Sequence, residues 1–194
     1  MRPGDTGPLP FRELTGYGLR LRAWREDDAR DALRGLRDPE SQRWAAGMVQ
    51  PSDLAGVLVM LKKRAERVTA GDLAPFCIAD AGSDAVLGSV ELHTVNRGMG
   101  HGGVGYWLLP DARGRGVVTR AVELVTRWGF DDVGLHRLDL GHALENTASC
   151  RVAARCGYLL EGTMRGFLPT STPGVRHDTH LHARLSTDPA PGVV

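Results

Sequence analysis

Along the first third of the chain apolar and polar positions switch between two periods. From Gly18 to Trp24 apolar residues alternate with arginine, the pattern of a strand with one wet face. Asp27 to Leu36 then reads as a helix, which Pro39 closes. A second helical stretch, Leu54 to Val68, carries Val57, Leu58, Leu61 and Ala65 at helical spacing, and the two helices together suggest a cover over a substrate side. Two apolar runs, Phe76 to Ala79 and Val86 to Val95, flank a Gly82-Ser83-Asp84 turn and predict an antiparallel hairpin. The glycine-rich N-R-G-M-G-H-G-G, Asn96 to Gly103, predicts a loop with His101 exposed and without a role. Val104 to Leu109 predicts a strand that stops at Pro110, because proline cannot donate to a ladder.

The next segment, D-A-R-G-R-G-V-V-T-R-A-V-E-L-V-T-R-W, is the most informative in the chain. Val118, Ala121, Val122, Val125 and Trp128 form the apolar stripe of a helix, so the order is strand, glycine turn, helix. Gly114 and Gly116 allow a sharp turn and a close approach to a ligand. The unpaired amides of Val117, Val118 and Thr119 and the positive end of the helix dipole can then hold a phosphate. Arg113 and Arg115 would add charge-assisted donors at the rim, which suits a pyrophosphate better than a single carboxylate. The Walker loop is excluded because no lysine follows the glycines, and the Rossmann fingerprint because Thr119 stands where a third glycine is needed. On the loop alone, a plain strand-to-helix connection with solvated arginines explains the residues equally well.

Composition narrows the classes. A chain of 194 residues with a formal net charge of +1 is one domain with no global field to steer it to nucleic acid or an anionic membrane. Lysine occurs only at Lys62 and Lys63, an arginine bias that reflects overall composition more simply than function. Cys77, Cys150 and Cys156 are odd in number and lack short paired spacing, which argues against disulfides and against a structural zinc site, so no metal is expected. Met1 to Phe11 has no apolar run of the secretory kind and no segment has the length of a membrane span, so the expectation is a cytoplasmic protein. Residues 1–10 and 186–194, rich in proline and small residues, are expected to be disordered around a domain at 11–185.

R-G-R-G-V-V, Arg113 to Val118, resembles the Gln/Arg-x-x-Gly-x-Gly/Ala pyrophosphate signature of the Gcn5-related N-acetyltransferase (GNAT) superfamily. The preceding G-Y-W-L-L-P, the later G-L-H-R-L-D-L (Gly134 to Leu140) and E-N-T-A-S-C-R-V-A-A-R-C-G-Y (Glu145 to Tyr158) are similar, in order, to its ribosomal-protein N-terminal acetyltransferase branch. H-D-T-H-L-H-A-R-L fits the branch's last strand. Val118 departs from the signature, which has glycine or alanine there; its place on the apolar stripe points its side chain into the core. The resemblance implies an α/β GNAT fold: a central mixed, mostly antiparallel sheet of about seven strands with helices on both faces. It implies acetyl-CoA as co-substrate, an amine acceptor, direct attack, and possible homodimerisation.

The resemblance also implies the site. The sheet should splay beside the strand ending at Leu108 and Leu109, freeing backbone groups for the thioester, with an N–H near Leu109 polarising its carbonyl. Ser89, Glu91 and His93 share one face of their strand, and Glu91 is the candidate base, with His93 the alternative and an ordinary wet sheet face the simplest reading. The acid tyrosine of many members falls here at Ala153; in the ribosomal-protein branch a serine three after the asparagine replaces it, which maps to Asn146 and Ser149. Asn146 or Thr147 could equally be a helix cap, and Ser149 a first-turn residue. Arg151 could meet the 3′-phosphate or be solvated, and Cys156 reads as a core residue. The acceptor implied is a protein α-amino group; a small-molecule acetyltransferase and a non-catalytic acyl-CoA-binding module are the other readings, and nucleic-acid binding through the arginines ranks last.

Overall fold

The computed structural model describes residues 7–45, 50–170, 172 and 174–192. Its centre is one eight-stranded sheet in the order β1-β2-β3-β4-β5-β6-β8-β7. These are β1 (Leu14–Gly16), β2 (Leu19–Arg22), β3 (Ala74–Asp80), β4 (Val86–Asn96), β5 (His101–Leu108), β6 (Arg137–Ala143), β7 (Leu159–Pro169) and β8 (Arg176–Leu185). All neighbours pair antiparallel except β5 with β6, whose parallel pairing covers only His101↔Arg137, Gly102↔Leu138 and Gly103↔Asp139. That short parallel seam is where the sheet opens.

The helices are α1 (Ala29–Leu36), α2 (Pro39–Trp44), α3 (Leu54–Ala70), α4 (Val117–Asp131) and α5 (Thr147–Arg155). Asp38 and Asp53 start α2 and α3 as N-caps, accepting from the Ser41 and Gly56 amides, and Gly71 ends α3 at φ 85. Helix α4 lays Val117, Ala121, Val122, Val125 and Trp128 on one face of the sheet against Phe76, Val90, Leu92, Leu138 and Leu140. Phe76 stacks on Phe11 at 4.4 Å and meets Trp128 edge-on at 5.3 Å. Such contacts add about 0.5–1.5 kcal/mol beyond the area they bury. On the other face Ala29, Ala32 and Val57 join α1 to α3, with Trp24, Leu33 and Met60 packed on them.

Two expectations need correction here. The sheet has eight strands rather than about seven, the addition being the three-residue β1, too short to leave an alternating pattern. The Asn96 to Gly103 segment is not all loop: β4 runs to Asn96, and His101 to Gly103 open β5. Glycine there has a packing reason, since a Cβ at Gly103 would lie 2.4 Å from the His93 ring. His101 is not an idle exposed side chain; its Nε2 lies 2.7 Å from Asp139 Oδ2. The expected disorder of residues 1–10 and 186–194 falls partly outside the described residues. Among those described, Leu9 is buried and its amide donates to Val68 O at 3.2 Å. No helix among the described residues is long and apolar enough to cross a membrane.

Candidate active site

Gly114 and Gly116 adopt φ of 72° and 68°, and a Cβ at either would meet nothing within 4 Å, so the bend is open to the outside. Gly116 is the N-cap of α4 and no side chain caps it. Among the described residues no protein acceptor meets the amides of Gly114, Arg115, Gly116, Val117, Val118 or Thr119, and the first bond of the helix is Arg120 N–H to Gly116 O at 3.3 Å. Six consecutive donors at the positive end of a 15-residue helix are therefore left for a ligand. Val118 is partly buried and packs on the main core.

The arginines divide differently from the sequence expectation. Arg113 does not stand at the rim with its guanidinium free: it is bound to Asp38 at the start of α2 and donates to Leu108 O at 3.0 Å. Burial pushes Asp38 up, but Arg113 and the Ser41 amide outweigh it and hold the carboxyl below its usual range. Arg115 is exposed and donates to Asp111 O at 3.5 Å. Arg120, which sequence reasoning passed over, reaches back under the loop to the carbonyls of Tyr17 at 2.6 Å, Arg115 at 3.2 Å and Gly116 at 3.3 Å. Its signal was the i+4 spacing from Gly116, which sets its head over the N-terminal turn.

A free N–H was expected near Leu109; that of Leu109 itself donates to Leu87 O at 2.9 Å and continues the β4–β5 ladder. That bond fixes the alternation. Leu109, Trp107 and Gly105 face β4, so the N–H and C=O groups of Tyr106 and Leu108 point the other way. On that side β6 has already left, since the parallel pairing ends at Gly103↔Asp139. Tyr106, with both of its main-chain groups, and Leu108, with its N–H, face the opening, while the Leu108 carbonyl is held by Arg113.

Glu91 and Ser149 approach this stretch from opposite faces. Glu91 pairs with Gly105 in register, its side chain lies beside that glycine, and its carboxylate is ion-paired with Arg64 of α3. Burial, and then the charge of Arg67, lower the Arg64 pKa. His93 shares the Glu91 face; burial first, then Arg64, lowers its pKa, and Nδ1 lies 3.1 Å from Thr94 Oγ1. Ser89 is occupied, donating to Phe76 O at 3.2 Å.

On the other face Asn146 is the cap of α5, accepting from the Ser149 amide at 3.1 Å. That leaves the buried Ser149 hydroxyl available and facing the Tyr106 phenol, which closes no hydrogen bond of ordinary geometry. Burial pushes the phenol pKa up, with Ser149 opposing. Tyr106 was missed by sequence reasoning because a tyrosine in an apolar strand reads as packing. Arg151 is exposed and reaches only Thr147 Oγ1, at 3.4 Å. Cys156 is buried in the core, as expected.

One cluster had no counterpart in the sequence reading: His142, Cys150, His180 and His182 converge behind α5, although no metal was expected. Their numbers are far apart, and only pairing of β6 with β8 brings them together.

The fold has counterparts among known proteins. Residues 18–159 match the family model "Acetyltransferase (GNAT) domain". The chain is 32% identical over 124 residues to a Bacillus subtilis (strain 168) protein described as "Probable N-acetyltransferase YjcK", covering 63% of this chain and 67% of that one. The structure of Mycobacterium smegmatis RimJ in complex with CoA-disulfide superposes with a TM-score of 0.79 at 25% identity, covering 98% of this chain and 93% of that one. The ribosomal-protein-S5-alanine acetyltransferase of Vibrio fischeri gives a TM-score of 0.79 at 22% identity, covering 93% and 100%. The chain belongs to the GNAT family of acetyltransferases.

Proposed function

We propose that the protein transfers an acetyl group from acetyl-CoA to a primary amine, and that the amine is a protein N-terminal α-amino group. The observation that carries the cofactor is the row of six amides from Gly114 to Thr119, unpartnered among the described residues, that leads into the N-terminus of α4. A pyrophosphate satisfies several of them at once, and Arg115 at the rim adds a charge-assisted donor. The solved relatives support coenzyme A as its bearer, since the RimJ structure holds a CoA-disulfide. Arg151, on the outer side of α5, is the arginine of this helix we assign to the 3′-phosphate.

The pantetheine arm then runs along the open edge of β5, where Tyr106 and Leu108 offer main-chain groups, and the thioester comes to rest between Glu91 and Ser149. Glu91, ion-paired with Arg64, accepts a proton from the ammonium acceptor, directly or through water. The neutral amine attacks the thioester carbonyl, and a β5 amide stabilises the developing oxyanion. As the C–S bond breaks, Ser149 gives its hydroxyl proton to the departing thiolate, and the second proton of the attacking nitrogen, lost as the amide forms, restores the serine hydroxyl. Neither Cys77 nor Cys156 carries the acyl group, since both are buried and burial pushes their thiols up to about 12.

The protein-terminus reading rests on the likeness to acetyltransferases of ribosomal proteins. Incubating the enzyme with acetyl-CoA and two panels tests it: peptides with free α-amines, and small amines of the polyamine and aminoglycoside type. Thiol release with the peptides only supports the reading. Release with the small amines only assigns the protein to the small-molecule class, and release with neither makes it a binding module.

A further inference from the structure

We infer that His142, Cys150, His180 and His182 form a binding site for a thiophilic divalent cation of the zinc type. The three histidines project from one face of adjoining strands: His142 pairs with His180 in register, and His182 lies two residues further along β8. Cys150 comes down on them from the second turn of α5, and the ligand atoms offered by all four lie within 4.8 Å of one another.

The hydrogen bonds around the cluster fix which nitrogens are free. His142 Nδ1 donates to Ala143 O at 2.9 Å and His182 Nδ1 donates to Tyr158 O at 3.2 Å. Each ring therefore carries its proton on Nδ1 and presents a bare lone pair at Nε2. The two Nε2 atoms face each other at 3.2 Å, two acceptors with no hydrogen between them. A proton shared across them would put a positive charge beside a third imidazole in a largely buried place. A cation resolves the conflict, and the two carbonyls are the outer partners that orient metal-bound imidazoles.

The spacing fits a tetrahedral ion. Bonds of about 2.0–2.1 Å to nitrogen and 2.3 Å to sulfur imply N···N near about 3.3 Å and N···S near about 3.6 Å. The protein has 3.2 Å between the two Nε2 atoms and 4.0 Å between Cys150 Sγ and His182 Nε2. His180 Nδ1 is buried without a hydrogen-bond partner, a further polar atom for which an ion would account. Binding displaces the thiol proton of Cys150 to the buffer. Because Cys150 follows Ser149, an occupied site would pin the start of α5 to β6 and β8 and so hold Ser149 in place.

Titrating the chelator-treated, full-length protein with Co2+ tests the site without any activity readout, so its outcome is separate from that of acetyl transfer. The expected result is one Co2+ per chain, with the strong visible bands of tetrahedral cobalt and a near-ultraviolet thiolate charge-transfer band, all displaced by one equivalent of Zn2+. Cys150→Ser should abolish the charge-transfer band, and His182→Gln should weaken binding by about 100-fold or more. Should His182→Gln fail to fold by circular dichroism, the half-buried Cys150→Ser decides alone. A weak octahedral spectrum, or binding indifferent to Cys150→Ser, overturns the inference.

Discussion

The carboxylate of Glu91 is ion-paired with the guanidinium of Arg64, which joins the middle of β4 to α3 on the face where the Glu91 side chain lies beside Gly105. A base that must accept a proton from an ammonium group has to be ionised first, and a fixed cation favours the ionised form. Replacing Arg64 by Met removes that cation and should therefore lower kcat/KM most at the acidic end of its pH profile. Glu91→Gln should lower kcat by about 10² or more with CoA affinity unchanged. A pH–rate series on the two variants checks both.

Ser149→Ala should leave the cofactor site intact, because it is the Ser149 amide, retained in alanine, that bonds the Asn146 cap. The expected loss is about 10² in kcat, with KM for acetyl-CoA unchanged. Tyr106→Phe should give a smaller loss in kcat, since it removes the group facing the donor and not the donor. Steady-state kinetics on the two variants separate these roles.

Arg113 and Arg115 are adjacent in every practical sense except function. Arg115→Ala should weaken CoA binding several-fold and leave stability alone. Arg113→Ala strands Asp38 and Leu108 O, both partly buried acceptors, and should cost about 1–3 kcal/mol of stability. Urea unfolding and calorimetric CoA titrations distinguish the two.

Burial holds the pKa values of His93, His142 and His182 below the ordinary histidine value. In the unfolded chain these rings gain protons near about pH 6.5, while in the fold they resist. Their contribution to stability is thus full above that pH and falls as pH drops through it. Asp72 and Asp84, lowered by hydrogen bonds from arginines, keep their contribution until lower pH. Thermal unfolding of chelator-treated protein should show a decline below about pH 6.5, made shallower by His93→Gln.

Much of this was legible because the local signals and the fold agree. The stripe from Val118 to Trp128 and the glycine pair before it specify α4 and its bare terminus without help from the rest of the chain. Asn146 or Thr147 announced a cap, and Asn146 is the one. The sequence could not reveal what depends on register. Whether Leu109 or Leu108 offers its amide at the seam is decided by the bond from Leu109 to Leu87, between strands whose pairing no composition encodes. Arg113 was misassigned because its partner, Asp38, lies 75 residues away. The four-residue cluster of His142, Cys150, His180 and His182 was invisible for the same reason, being assembled across a strand pair and a helix.

The account rests on the amides of Gly114 to Thr119 as the diphosphate-binding element. Following their NMR signals during a CoA titration tests that claim most directly, with Gly116→Val as the control whose branched side chain is strained at φ 68. These six amides should shift together and saturate with one equivalent in the native protein, and the response should be weakened at least about tenfold in the variant. Saturable binding that leaves them unmoved, or no binding of CoA at all, would contradict it.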